Sequence, residues 1–182
     1  MDSYSDQKFF LLVGFKKIAF ASLNSKNQFS LNKEILLDTI SIEDNLKALE
    51  IFLEKNIFEV EKNLNLHIKE IFLIIDYDTF LKVDLSSAYN FQDFFNKSYE
   101  ISNFFIDIKN NFKKNTDDYE IIHTLINKFI IDGETYFIMP KNKDYDNIYL
   151  EISFICLQKE ITNSLRKVLF KYQILCKRML SH

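Results

Sequence analysis

Apolar residues recur along this chain with different periods, and each period predicts a different kind of element. In 119–140, YEIIHTLINKFIIDGETYFIMP, Ile, Phe and Tyr crowd both sides of Asp132-Gly133. Half-buried pleated strands prefer those residues, and Asp-Gly supplies the positive φ angles of a tight hairpin. Pro140, the only proline, has no N–H for a ladder and predicts the end of the second strand. Upstream, 8–24 reads as two strands breaking at Gly14, a buried run at 9–13 and its partner at 17–24. A third strand falls within 28–39, where Phe29, Leu31 and Lys33 alternate with Ser30, Asn32 and Glu34, so the chain opens with a meander.

The period then changes. Ile42, Leu46, Leu49, Leu53, Ile57, Val60 and Leu64 recur at spacings of three and four, which predicts one apolar stripe on a helix over 42–65. Ser41 followed by Asp44 resembles a capping box with Asp in place of Glu. The apolar run in 68–77 predicts a central strand covered on both faces, reached by a crossover of that helix. Alternation over 80–87 predicts a strand with one wet face. Ile101, Phe105, Ile108 and Phe112 predict a second helix between polar stretches near Lys97 and over 113–118 that read as loops. A polar turn near 141–147 precedes a strand at 147–157 and a helix at 160–172, with Ile174 and Leu175 opening a last short strand. The order is mixed α/β. It divides near residue 87 into a first unit, 1–87, with a mixed sheet and the long helix, a second unit, 88–175, and a tail, 176–182.

Composition narrows the function classes. A chain of 182 residues with 47% hydrophobic residues has enough apolar surface for a real core. With 23 basic against 26 acidic residues, no strong field exists to hold nucleic acid or an anionic membrane. Cys156 and Cys176 have neither zinc spacing nor the density of a disulfide scaffold, so both are expected reduced and packed. The start, MDSYSDQK, has no basic leader region, and no window approaches ~18 uninterrupted apolar residues, so a cytosolic protein is expected.

Candidate chemistry is sparse. Asp76-Tyr77-Asp78 offers oxygen ligands of the kind magnesium or manganese takes, but such a pair is far more often a polar strand exit. His123 has the chemistry of a general base, yet its sequence neighbours Ile121, Ile122 and Leu125 offer no carboxylate. Arg166, Lys167, Lys171, Lys177 and Arg178 have the charge to touch lipid headgroups, though such a run is more often a solvated face. Cys156, within FICL, reads as a small core residue rather than a nucleophile.

Two sets of residues carry a family resemblance. Leu12-Val13-Gly14-Phe15-Lys16-Lys17, followed by Ile18-Ala19, stands where the bacterial cell-division protein family FtsA has a glycine turn of the form Asp-Ile-Gly-Thr-Ser-Lys. Ile122, His123, Phe129, Ile131 and Asp132, then the strand at 148–157 and the helix at 160–172, resemble that family's inserted subdomain. The resemblance implies an actin-like, ribonuclease H-like half-domain carrying an inserted strand-helix-strand-strand subdomain. The departures are chemical. Leu12 replaces the Asp that organises metal-bound phosphates, and Phe15 with Lys16 replaces the small hydroxyl pair that lets backbone approach a phosphate, leaving Lys16 and Lys17 only their charge. The chain ends at His182, before the family's second domain begins.

The resemblance therefore implies a partner-binding protein of the division machinery that does not hydrolyse ATP. It implies no catalytic residue, no cofactor and no metal, with Leu12, Gly14, Phe15, Lys16 and Lys17 as a degenerate phosphate turn. Partner contacts, with division proteins or a second copy, fall to the inserted subdomain at Ile131, Asp132, Tyr136 and Phe137. No nucleic acid and no direct membrane insertion are expected, and the implied place is the inner face of the membrane at the division site. The alternatives are an actin-like adaptor of type IV pilus assembly, and a metal-dependent enzyme using Asp76 and Asp78.

Overall fold

A computed structural model describes residues 7–26, 28–39, 41–90, 97–140 and 147–181, with backbone alone for 97–100. Residues 1–6 and the polar turn at 141–146 lie outside the described residues. In chain order the elements are β1 (Lys8–Gly14), β2 (Lys17–Leu23), β3 (Phe29–Leu36), α1 (Ile42–Leu64), β4 (Glu70–Asp76) and β5 (Leu81–Asn90). Then come α2 (Lys97–Asn115), β6 (Tyr119–Ile131), β7 (Glu134–Tyr136), β8 (Asn147–Gln158), α3 (Lys159–Lys171) and β9 (Leu175–Ser181). They divide into two units, Met1–Thr79 with Glu160–His182, and Phe80–Lys159. Among the described residues no helix is long and apolar enough to cross a membrane.

The first unit is a five-stranded sheet in the order β3-β2-β1-β4-β9. β1, β2 and β3 form the expected antiparallel meander, while β4 lies parallel to both β1 and β9. Parallel neighbours cannot be joined by a hairpin, so each pair needs a crossover. α1 supplies the first, and the second runs through the whole second unit and α3. Alternation buries Phe9, Leu11 and Val13 of β1, Ile18 and Phe20 of β2, and Ile71, Leu73 and Ile75 of β4 on one face. Phe10, Phe72 and Ile74 point the other way and stay half-buried, so β4 is fully covered on one face rather than the two expected.

α1 begins where the capping signal places it. Ser41 accepts from the Asp44 N–H at 3.0 Å, and its hydroxyl donates to the Asp44 carboxylate. Asn65, at φ 52, ends the helix in the left-handed conformation. Its buried residues are Asn45, Leu49, Phe52, Leu53 and Val60, so the apolar stripe is rotated toward Phe52, with a polar residue inside it. Ile51 and Phe58 lie on the exposed side.

The second unit is an antiparallel sheet in the order β5-β8-β6-β7. α2 lays Phe104, Ile108 and Phe112 against Phe129, Ile131, Ile148, Leu150, Ile152, Phe154 and Cys156. The Phe112 and Phe154 rings meet at 4.9 Å. α2 starts at Lys97, in a stretch read as a loop. Phe104 leads its inner face, with Phe105 beside it.

The division differs from the sequence reading. The second unit starts at Phe80 rather than 88, and α3 returns to the first unit. The expected tail, 176–182, is largely β9, which pairs with β4 from Glu70↔Leu175 to Ile75↔Ser181. Tyr172 fixes the end of α3 on α1, its hydroxyl donating to the Glu50 carbonyl at 3.1 Å.

Leu49→Ala and Leu53→Ala should each lower unfolding free energy by about 2–5 kcal/mol, because each leaves a cavity in a fully packed site. Phe58→Ala, on the exposed side of the same helix, should stay within about 0.5 kcal/mol of the parent in urea denaturation.

Candidate functional site

The β1–β2 turn is a closed, packed corner. Gly14 pairs with Asp76, and a Cβ on Gly14 would meet the Asp76 Cβ at 3.0 Å and its carbonyl at 3.2 Å. The glycine is thus required by the close approach of two strands, whatever else the turn does. Three successive carbonyls there accept from protein donors. Asn45 Nδ2 donates to Gly14 at 2.5 Å, Thr39 Oγ1 to Phe15 at 3.4 Å and the Leu37 N–H to Lys16 at 2.7 Å. Tyr77 donates its hydroxyl to Asn45 Oδ1 at 2.7 Å, and its ring lies 4.8 Å from the Phe15 ring. Burial pushes the Tyr77 hydroxyl well above the usual tyrosine range. Leu12 sits within β1, in register with Ala19 and Ile74, while Lys16 is exposed and Lys17 half-buried.

The remaining candidate chemistry is scattered. Asp76 packs beside Gly14, Asp78 is exposed, and Tyr77 between them points into the corner. Among the described residues no group of three His, Cys, Asp or Glu side chains comes together around them or around His123. His123 lies on β6, in register with Ile155. Cys156 is fully buried in the second unit's core, and desolvation pushes its thiol up to about 11, which keeps it protonated and unreactive at neutral pH. Of the basic residues, Lys171 pairs with Glu50 and Lys177 with Glu70.

The hairpin separates the four partner candidates. Asp132 at φ 52 and Gly133 at φ 83 make the expected turn. Ile131 has no exposed surface and belongs to the core under α2, which removes it from any partner surface. Its place follows from the two-residue period: it shares the inner face with Phe129. Tyr136 packs partly against the same core and donates its hydroxyl to Glu134. β7 then stops at Tyr136, four residues short of Pro140, and Met139 turns back to the core. That early exit leaves Phe137 78% and Ile138 82% exposed. Ile138 carries no signal of its own in sequence, since continued alternation would have put it on the Tyr136 face.

A polar line crosses the sheet face away from α2. Ser153, buried, donates to Asp84 and accepts from Asn127 Nδ2 at 2.8 Å. Lys82 reaches Asp84 at 3.1 Å, and Lys128 reaches Glu151 at 2.9 Å. The Ser153 hydrogen bond, then the one from Lys82, holds the Asp84 carboxyl below the usual range. Leu125 and Tyr149 flank this line, 48% and 57% exposed. None of these residues stood out in the sequence, because β-sheet register brings them together from three strands.

No family model matches the chain, and no curated protein matches it. Among solved structures it is similar to a chain of the PilM-PilN type IV pilus biogenesis complex, at 5% identity and a TM-score of 0.52. That likeness covers 96% of this chain and 47% of the other, so the chain spans about half the length of its structural neighbour. A Bacteroides thetaiotaomicron protein described as having an actin-like ATPase fold and unknown function aligns at 15% identity, covering 100% of this chain and 55% of that one. Its TM-score of 0.35 is too low to bear on the fold. The fold is mixed α/β and is shared with that chain of the pilus complex.

Tyr77→Phe should lower stability by about 1–3 kcal/mol, since Asn45 then keeps a buried oxygen without its donor. The variant should also lose part of the alkaline sensitivity. Folded Tyr77 holds a proton that the unfolded chain releases near pH ~10, so the parent loses stability as pH rises above that value. Thermal melts at a series of alkaline pH values should show a shallower decline in the variant, with Cys156 contributing a residual slope to both proteins.

Proposed function

We propose that this chain is a protein-binding adaptor on an actin-like half-domain, working through its second unit and without ATP hydrolysis. The observation that carries the reading is the pair Phe137 and Ile138, adjacent and largely exposed beside the short edge strand β7. Two large apolar side chains held in water at a sheet edge favour a partner that covers them, and aromatic anchors of this kind concentrate binding energy. The corner at Gly14 supports the second half of the reading. Phe15 rests on Tyr77, and Leu12 offers no carboxylate where a metal-bound phosphate would need one.

The machinery served is of the division or pilus type. The FtsA-like residues at the turn and the hairpin favour cell division, with contacts to division proteins or a second copy at the inner face of the membrane. The fold shared with a chain of a PilM-PilN complex favours the pilus-adaptor reading, a protein that binds another component of the same assembly.

Affinity capture from the native cell separates these readings by the proteins recovered, division components or pilus components. Phe137→Asp with Ile138→Asp should abolish the capture while leaving the melting temperature unchanged, and equal recovery by the variant would remove the hairpin from the reading. Calorimetry with magnesium and ATP should give no heat at ~1 mM nucleotide, where a micromolar dissociation constant, about 8 kcal/mol of binding, would be unmistakable and would restore an ATPase-like role.

A further inference from the structure

β6 is longer than the strand beside it. It pairs with β8 from Tyr119↔Gln158 to Ile131↔Ile148, whereas β7 covers only Phe129, Ile130 and Ile131 on the other side. Among the described residues no strand pairs with 119–128 on that side, so alternate N–H and C=O groups there point out from the edge of the sheet. Ile122 and Asn127 are extra residues against β8, two bulges that bracket a regular run at 123–126. Leu125 and Ile126 end that run. Leu125 lies opposite Ser153, on the face away from α2, and is 48% exposed. Ile126 lies opposite Ile152, on the α2 face, and is 42% exposed.

Two adjacent apolar side chains on opposite faces need a cover that reaches both faces at once. A helix laid on the sheet covers one face only. A strand added at the edge alternates its side chains and covers both, while its backbone bonds to the groups that β6 turns outward. We propose that a partner protein adds a short extended segment to β6 at 123–126, with two consecutive apolar residues packing on Leu125 and Ile126. The proposal rests on the reading of this unit as the partner-binding part, and adds how the partner is held. β7 ends opposite Phe129, so Phe137 and Ile138 stand where the open edge begins. β5, the other outer strand, suits a partner less, because Lys82 and Asp84 put charge on it. Lipid suits the β6 edge less, since it offers no hydrogen-bond partner to backbone N–H and C=O groups. A second copy also fits less well. Paired residues share a face, so two β6 edges related by a two-fold axis must centre on one residue. Any such centre within 123–126 sets one copy's bulge opposite the other's regular run.

The test uses the full isotope-labelled chain and the capped peptide Lys-Thr-Ile-Val-Thr-Lys. One control is the same peptide N-methylated at Ile and Val, which keeps the apolar surface and removes the central N–H donors. The other replaces Ile-Val by Ser-Ser. Amide shifts and slowed hydrogen exchange are expected at 123–126, with each control binding at least about tenfold more weakly. Leu125→Lys with Ile126→Lys should remove the response, and the N-methyl comparison, made on the unaltered chain, holds whatever that variant does to folding. The proposal is overturned by no response at 123–126 with ~1 mM peptide, by equal binding of the N-methylated peptide, or by the same signals moving only with phosphatidylcholine vesicles or with rising concentration of the chain itself. The hairpin reading fails separately: peptide binding at 123–126 with capture unchanged by Phe137→Asp and Ile138→Asp removes the hairpin and keeps the edge, whereas capture lost in that variant with no peptide response removes the edge and keeps the hairpin.

Discussion

Parallel pairing on both sides of β4 is the constraint from which the architecture follows. A strand with parallel neighbours on each flank needs two crossovers, and neither can be a tight turn. α1 fills the first, and its capped start at Ser41 and left-handed end at Asn65 fit it to that span. The second carries a complete antiparallel unit before α3 brings the chain to β9. The most chemically suggestive stretch of sequence, the glycine turn, is held by the same pairing, since Gly14 meets Asp76 at the end of the β1–β4 ladder.

One polar residue ties that ladder to the helix. Asn45, in the first turns of α1, donates to the Gly14 carbonyl and accepts from Tyr77, so the exits of β1 and β4 and the start of α1 meet on a single side-chain amide. A buried amide is tolerated only where its bonds are made, and here both ends are. With the Phe15 ring tilted against Tyr77 at 4.8 Å, the carbonyls and rings of this corner are bonded to one another as in a core.

Much of the fold was legible because the relevant signals were local. The Ser41 cap, the extent of α1, the meander and the Asp132-Gly133 turn each depend on neighbours in sequence, and each forms where its residues place it. The misplaced features depend on distant partners. Asn45 is inside because of Gly14 and Tyr77, some thirty residues away on either side. Ile131 is core because α2 covers it, and β7 ends early because Met139 is drawn back to that core. The last strand was expected to open at Ile174 and Leu175, but its run on to Ser181 was hidden by Lys177 and Arg178, which masked its period. At the hairpin surface the sequence pointed to Phe137 but not to Ile138.

The insertion of one unit between β4 and β9 also sets an order of events during synthesis. β4 leaves the ribosome about a hundred residues ahead of its partner, which at ~5–20 residues per second leaves its flank without β9 for roughly 5–20 s. Closing so long a loop directly would be slow and entropically costly. The second unit has its own antiparallel core, and its first and last strands are neighbours, with Leu81 opposite Cys156. Once that unit has folded, the two ends of the long connection are already side by side, and the search for β9 shrinks to the length of α3.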